Sequence, residues 1–317
     1  MIKIDLITGF LGAGKTTFIK QYAQYLISQG NKIGIIENDF GAVNVDMMLL
    51  QELMSDQCAL EMITSGDCEC HRRRLKAKLI AKKMQGFDRI IIEPSGIYEI
   101  DEFFDLLYEE PLNNWYEISN VIAIVDAKLN NDLSPEENYL LASQIANAGK
   151  VILSRFQKAS DDEVNQTLKH LDFALKQVKC PRQIQNSLLL KDWHTFQDQD
   201  YEDILNSEYV IEDYHKLYFD QHDTFMTLYF MDIHLNKQAL IKTIQAIIND
   251  EDCGKVLRIK GFMQDLANED QWLELNATKH EIKLNPIKEG QAVIILIGKS
   301  LQENKIAAYF VKAKETL

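Results

Sequence analysis

Three short stretches of this chain carry residue types and spacings that can do chemistry. The first is GFLGAGKTT, Gly9 to Thr17, which fits G-x-x-x-x-G-K-[ST]. Glycines at Gly9, Gly12 and Gly14, with the small Ala13 between them, let backbone N–H groups curl around phosphate oxygens. A helix opening here adds the positive end of its dipole. Lys15 is placed to reach β- and γ-phosphates, and the hydroxyl of Thr16, with Thr17 next to it, to sit near Mg²⁺. A glycine-rich turn that matches by chance is the competing reading. The apolar run before the loop and the helical pattern after it argue against chance, so a nucleoside triphosphate site is expected.

The second stretch is RIIIEPSG, Arg89 to Gly96. Glu93 ends an apolar run, where it can polarise a metal-bound or attacking water, and the Gly96 N–H can meet a γ-phosphate. An acid at a strand end before a proline turn is the ordinary alternative. A related acidic cluster is ENDFGAVNVD, where Glu37, Asp39 and Asp46 are candidates for metal or switch duties.

The third stretch is SGDCECHRRR, Ser65 to Arg74. Asp67, Cys68, Glu69, Cys70 and His71 can each bind a metal. Thiolate and imidazole favour Zn²⁺, Co²⁺ or Fe²⁺ in a tetrahedral site, and carboxylates make the site harder. Adjacent residues cannot all turn inward, so two or three ligands are expected, with Glu37 or the nucleotide side completing the shell. A surface loop with incidental thiols is the alternative. The other histidines are scattered along the chain and read as structural or exposed.

The elements that must position these residues follow one pattern over the first two-thirds of the chain. Short apolar runs (Ile2–Ile7, Lys32–Glu37, Arg89–Glu93, Asn120–Asp126, Lys150–Ser154) alternate with longer amphipathic segments. Runs that are apolar on both faces suit central parallel strands. Phe18, Tyr22 and Leu26 mark a helix ending at Gly30, and Ser160-x-x-Glu163 is a capping box opening a helix to about Val178. The expected fold is α/β, a phosphate-loop domain with a mainly parallel sheet over residues 1–185. Residues 186–222 are polar and read as a connector. Residues 223–317 read as a smaller α+β domain, its strands antiparallel.

Bulk properties narrow the function classes. The 317 residues are 46% hydrophobic and 26% charged, with a formal charge of −14, typical of a soluble protein. The negative balance argues against nucleic-acid or anionic-membrane binding. HRRRLKAKLIAKK, His71 to Lys83, is locally basic and reads as a solvated helix face. No apolar run approaches a membrane span, and the N-terminal stretch does not read as a signal peptide. Five cysteines, two of them too close for an ordinary mutual bridge, suit a reducing cytoplasm.

Taken in order, GFLGAGKTT, ENDFGAVNVD, Glu93-x-x-Gly96, the VDA of Val125–Ala127 and GKVLRIKGF (Gly254–Phe262) resemble the CobW-like family of phosphate-loop GTPases and metal chaperones. The resemblance spans nearly the whole chain. It implies slow GTP hydrolysis with Mg²⁺, linked to delivery of a transition metal, often Zn²⁺ or Co²⁺, to a client metalloprotein. A homo-oligomer is compatible with it.

Two places depart from the family pattern. Where the family reads guanine with [NST]-K-x-D, this chain has Ser154-Arg155-Phe156-Gln157. Arg155 can replace the lysine as a stacking cation, but Gln157 has one carbonyl acceptor and no charge. The lost charged contact is worth roughly 1.5–3 kcal/mol. GTP is favoured from the resemblance, and weak guanine selectivity or ATP use stays open. The family's G-C-x-C-C is represented by Gly66-Asp67-Cys68-Glu69-Cys70-His71, a mixed ligand set. Two further function classes compete: a small-molecule kinase with Arg72–Arg74 clamping phosphates, and a nucleotide switch without a metal role.

Overall fold

The computed structural model describes residues 1–39, 49–64, 68–97, 99–217, 225–265, 268–287 and 289–315, with backbone alone at 38–39, 64, 68–71, 269–270 and 315. The chain divides into two units, Met1–Tyr218 and Phe219–Leu317.

The first unit is built on seven strands: β1 (Ile2–Thr8), β2 (Ile33–Asp39), β3 (Cys58–Thr64), β4 (Arg89–Glu93), β5 (Tyr116–Asp126), β6 (Lys150–Ser154) and β7 (Leu188–Leu189). They lie in the order β3-β2-β4-β1-β5-β6-β7, and every pair is parallel. The reason is legible in the central strands. All five residues of β4 are buried, and β1 is buried at six of its seven positions. Such strands need cover on both faces, which the intervening helices supply.

Those helices are α1 (Lys15–Ser28), α2 (Cys68–Lys83), α3 (Asp101–Leu107), α4 (Pro135–Ala146), α5 (Asp161–Gln177) and α6 (Asp198–Leu205). Phe18, Ile19, Tyr22, Ala23 and Leu26 form the buried stripe of α1. Burying each large apolar side chain stabilises by about 1.5–3 kcal/mol. The capping box at Ser160 is present, its hydroxyl accepting from the Glu163 N–H.

Three sequence expectations change. β3 was not anticipated; its CALEMIT alternates small, charged and apolar residues, as an edge strand can. The stretch 186–217, expected as a connector, is folded: it carries β7 and α6, and it sends Trp193 and Ile204 into the core of the first unit. Apolar residues spaced among acids conceal this, because few side chains from a polar segment suffice to anchor it. The basic face of α2 is also not wholly solvated. Lys82 is 2% exposed and pairs with Glu61 at 3.0 Å.

The second unit is a five-stranded antiparallel sheet of order β11-β10-β9-β12-β8. Its strands are β8 (Met226–Met231), β9 (Lys255–Asp265), β10 (Asn268–Ala277), β11 (Ile282–Ile287) and β12 (Val293–Lys299). Two helices, α7 (Lys237–Asn249) and α8 (Glu303–Glu315), share a core with one sheet face through Leu240, Ile244, Ile306 and Phe310. β11, which contains Pro286, sits at an edge, where a residue without an N–H is tolerated.

Candidate functional site

The C-terminal ends of β3, β2, β4, β1 and β5 stand side by side, and the chemically interesting residues follow from them. Gly9 leaves β1 at φ 145, and a methyl group there would stand 2.2 Å from the Ile124 carbonyl oxygen. Gly12 and Gly14 take φ 75 and 97. The loop closes with the Ala13 N–H donating to the Phe10 carbonyl at 3.1 Å. Gly14 is the N-cap of α1 and offers no side-chain cap, and the first turn holds no acid. The first turn of α1 thus carries neither a side-chain cap nor an acid, and an anion is what a helix N-terminus favours.

Lys15 is 4% exposed and folds back over the loop, its Nζ donating to the Gly9 carbonyl at 3.0 Å. It also stands 3.7 Å from Glu93 Oε1. The Thr16 hydroxyl donates to Glu93, 3.1 and 3.3 Å from its two oxygens. Thr17 is exposed, and Ala13 is buried. Glu37, 3% exposed, is the register partner of Glu93 across β2 and β4. Two buried carboxylates therefore stand in register on adjacent strands, Glu93 at the end of β4 against Lys15 and Thr16 and Glu37 beside it on β2. Gly96 follows β4 in a turn so close to the loop that a methyl group would be 2.7 Å from the Leu11 nitrogen. Any side chain there would push the turn away.

On the other flank, Asp126 ends β5 opposite Ser154 at the end of β6. Arg155 adopts φ 56; its Nη1 donates to Asp126 at 2.5 Å and its Nη2 to the Gly12 carbonyl at 3.0 Å. The expected stacking cation is instead bound to the phosphate loop and to Asp126. Gln157 is exposed on a single 3₁₀ turn, Phe156–Lys158. Among the described residues, the hydroxyls of Thr8 and Ser154, at the ends of β1 and β6, are buried without a hydrogen-bond partner. Unsatisfied polar atoms around an uncapped helix start fit a polar, anionic ligand such as a triphosphate with its Mg²⁺.

Below the loop lies a buried ionic cluster that sequence reading missed. The Asp5 carboxylate, wholly buried in β1, accepts from Arg89, from the Tyr22 hydroxyl at 2.8 Å and from Asn120 Nδ2 at 2.8 Å. Burial, then the neighbouring Asp5, push the Tyr22 hydroxyl well above its ordinary range. Burial opposes the Arg89 charge, but Asp5, together with Tyr22 and Glu117, more than offsets that and raises Arg89. An aspartate inside an otherwise apolar strand run was the available signal.

The cysteine-rich stretch follows β3, which pairs with β2 so that Met62 lies beside Glu37. Cys68, Glu69, Cys70 and His71 form the first turn of α2 rather than a loop. Their side chains, that of Asp39, and residues Asp46 and Asp67 lie outside the described residues. Among the described residues, no three of His, Cys, Asp and Glu gather into a metal-holding cluster, and no helix is long and apolar enough to cross a membrane.

A parallel sheet with a glycine-rich phosphate loop between β1 and α1 defines a phosphate-loop nucleotide-binding fold. Residues 3–184 match the CobW/HypB/UreG nucleotide-binding domain, and residues 229–314 match the cobalamin synthesis protein cobW C-terminal domain. The chain belongs to the CobW/HypB/UreG family. It is 31% identical over 173 residues to the zinc chaperone YjiA of Escherichia coli, covering 51% of this chain and 52% of that protein. The zinc chaperone YeiR of Escherichia coli is 29% identical over 165 residues, 51% and 49% of the two chains. Zinc-regulated GTPase metalloprotein activator 1 of Schizosaccharomyces pombe is 22% identical over 188 residues, 56% and 45% of the two chains. The chain spans about half the length of the relatives it matches.

Proposed function

We propose that this protein is a nucleotide-dependent metal chaperone that hydrolyses a triphosphate, GTP by its family resemblance, and hands a transition metal to a client metalloprotein. The observation that carries the reading is the convergence of Lys15, Thr16, Glu93 and Glu37 at one end of the sheet, with the Cys68-x-Cys70-His71 turn following the strand beside Glu37. Relatives named zinc chaperone and zinc-regulated GTPase metalloprotein activator support it.

In this reading the loop N–H groups and Lys15 hold the β- and γ-phosphates. Thr16 and Glu93 hold Mg²⁺ and the water around it, and Gly96 lets its turn approach the γ-phosphate. Mg²⁺ supplies charge neutralisation on the transferring phosphoryl group. The metal is cargo, Zn²⁺ or Co²⁺ by resemblance, with Fe²⁺ also suited to the thiolate and imidazole ligands. Asp67, Cys68, Glu69, Cys70, His71 and Glu37 are the candidate ligands, and Asp39 and Asp46 belong to the adjoining switch segment. Ser154, Arg155 and Gln157 lie where the base would be read.

The test is a titration of metal-free protein with Zn²⁺, Co²⁺ and Fe²⁺, with and without Mg·GTP or Mg·ATP, while hydrolysis is followed. A Cys68→Ala/Cys70→Ala double variant should lose tight metal binding and keep nucleotide binding. Unchanged metal affinity in that variant would remove the chaperone assignment.

A further inference from the structure

The stretch after residue 184, where the match to the nucleotide-binding domain ends, lies along α1 in a regular way. Four positions meet it, the N-cap Gly14 and Phe18, Gln21 and Tyr25 on α1, spaced four, three and four residues apart. At 100° per residue they form a single stripe, running from the phosphate loop to the far end of the helix.

Each contact is specific. The Trp193 indole lies against Gly14, where a methyl group would be 3.2 Å from Cη2 and 3.7 Å from Cζ2. The same indole meets the Phe18 ring at 6.0 Å between centroids, tilted by 55°. One turn on, Gln21 Nε2 and His194 Nδ1 are 2.7 Å apart. Tyr25 and Tyr201 stack with centroids 4.3 Å apart and planes within 11°. Trp193 is 8% exposed and Ile204, on α6, is fully buried. The indole therefore brackets the turn of α1 whose N–H groups open onto the phosphate loop.

We infer that residues 193–205 form a clasp on α1, in which Trp193 is a positioning residue for triphosphate binding. The inference rests on reading Gly9–Thr17 as the triphosphate site. Gly14 sits at φ 97, and the indole and Ser154 Cβ are the atoms nearest the space beside its Cα. Removing the indole frees Gly14 to move by the fraction of an ångström that loop N–H groups can least tolerate. Occupancy of the loop by phosphate, in turn, changes the environment of the indole.

The experiment uses the full chain with Trp115→Phe and Trp272→Phe, which leaves Trp193 as the sole tryptophan. Mg·GTP and Mg·ATP are titrated while indole emission is followed, and binding is measured in parallel by calorimetry. Emission is expected to change with the calorimetric midpoint. Trp193→Ala should weaken triphosphate binding by about ten- to a hundredfold, as a rise in KM with kcat largely kept, and Trp193→Phe should restore most of the affinity. If Trp193→Ala does not fold, the emission change decides, and silent emission alongside calorimetric binding then overturns the clasp. Calorimetric binding with silent emission and an unchanged Trp193→Ala affinity overturns the clasp alone. Absence of any triphosphate binding overturns the site reading and the clasp together.

Discussion

The helices α1 and α5 both follow a strand of one parallel sheet, yet their first turns are opposites. α5 is closed by its own chain: Ser160 caps it, Glu163 answers, and Asp161 and Asp162 complement the dipole. α1 starts at Gly14 with no capping side chain and no acid. Below the first turn the order reverses. α1 is tied to β1 by the buried cluster of Tyr22, Asp5, Arg89 and Asn120, whereas α5 is held by neutral contacts. Thr167 donates to the Ala127 carbonyl at 2.8 Å, and His170 Nε2 lies 2.7 Å from Asn138 Oδ1. A helix that reserves its N-terminus for a ligand forgoes its cap, and a strong anchor deeper in the core keeps it in place.

The largest effect should come from breaking that anchor. Arg89→Leu leaves the Asp5 carboxylate buried with only Tyr22 and Asn120, and should destabilise the first unit by about 3–5 kcal/mol. Urea denaturation followed by far-UV circular dichroism measures it. An equal loss from His170→Leu on α5 would show the anchors to be alike.

Next, a cap imposed on α1 should harm it. Gly14→Asp places a side chain at positive φ against Trp193 and adds a negative charge to the phosphate loop. Triphosphate affinity by calorimetry should fall on the order of 100-fold. The reverse change, Ser160→Ala, should cost about 1 kcal/mol of stability and leave triphosphate affinity as it was. A shift in affinity there would mean the two helix starts are not independent.

The smallest effect lies outside both helices, on β3. Burial alone would raise the Glu61 carboxyl, but bonds from Lys78 and Lys82 hold it below its ordinary value. Its stabilising contribution is therefore present above the ordinary carboxylate value and lost as pH falls through the lower, folded one. Glu61→Gln should cost under about 1 kcal/mol at neutral pH, and the difference from the parent chain should vanish in acid denaturation profiles.

Much of this arrangement can be read from residue order. The strands Arg89–Glu93 and Lys150–Ser154 and the Ser160 cap stand where their patterns predict. Each rests on a local rule, an apolar run or a capping box. β3 escaped because an edge strand mixes polar and apolar residues. Trp193 and Tyr201 escaped because the stripe they cover on α1 lies about 180 residues earlier in the chain. Arg155 was recognisable as a cation in place of the lysine of the family's guanine motif, but its bonds to Asp126 and Gly12 require β5, β6 and the phosphate loop to be assembled.

By itself the sequence determined the phosphate loop, the alternation that makes a parallel sheet, and the separate antiparallel unit, because each is written in neighbours a few residues apart. Only the tertiary structure decided that Glu37 stands beside Glu93, that Asp5 and Arg89 share one buried site, and that Trp193 touches Gly14. Those pairings come from strand order and register, which are set by packing over the whole sheet and have no local spelling.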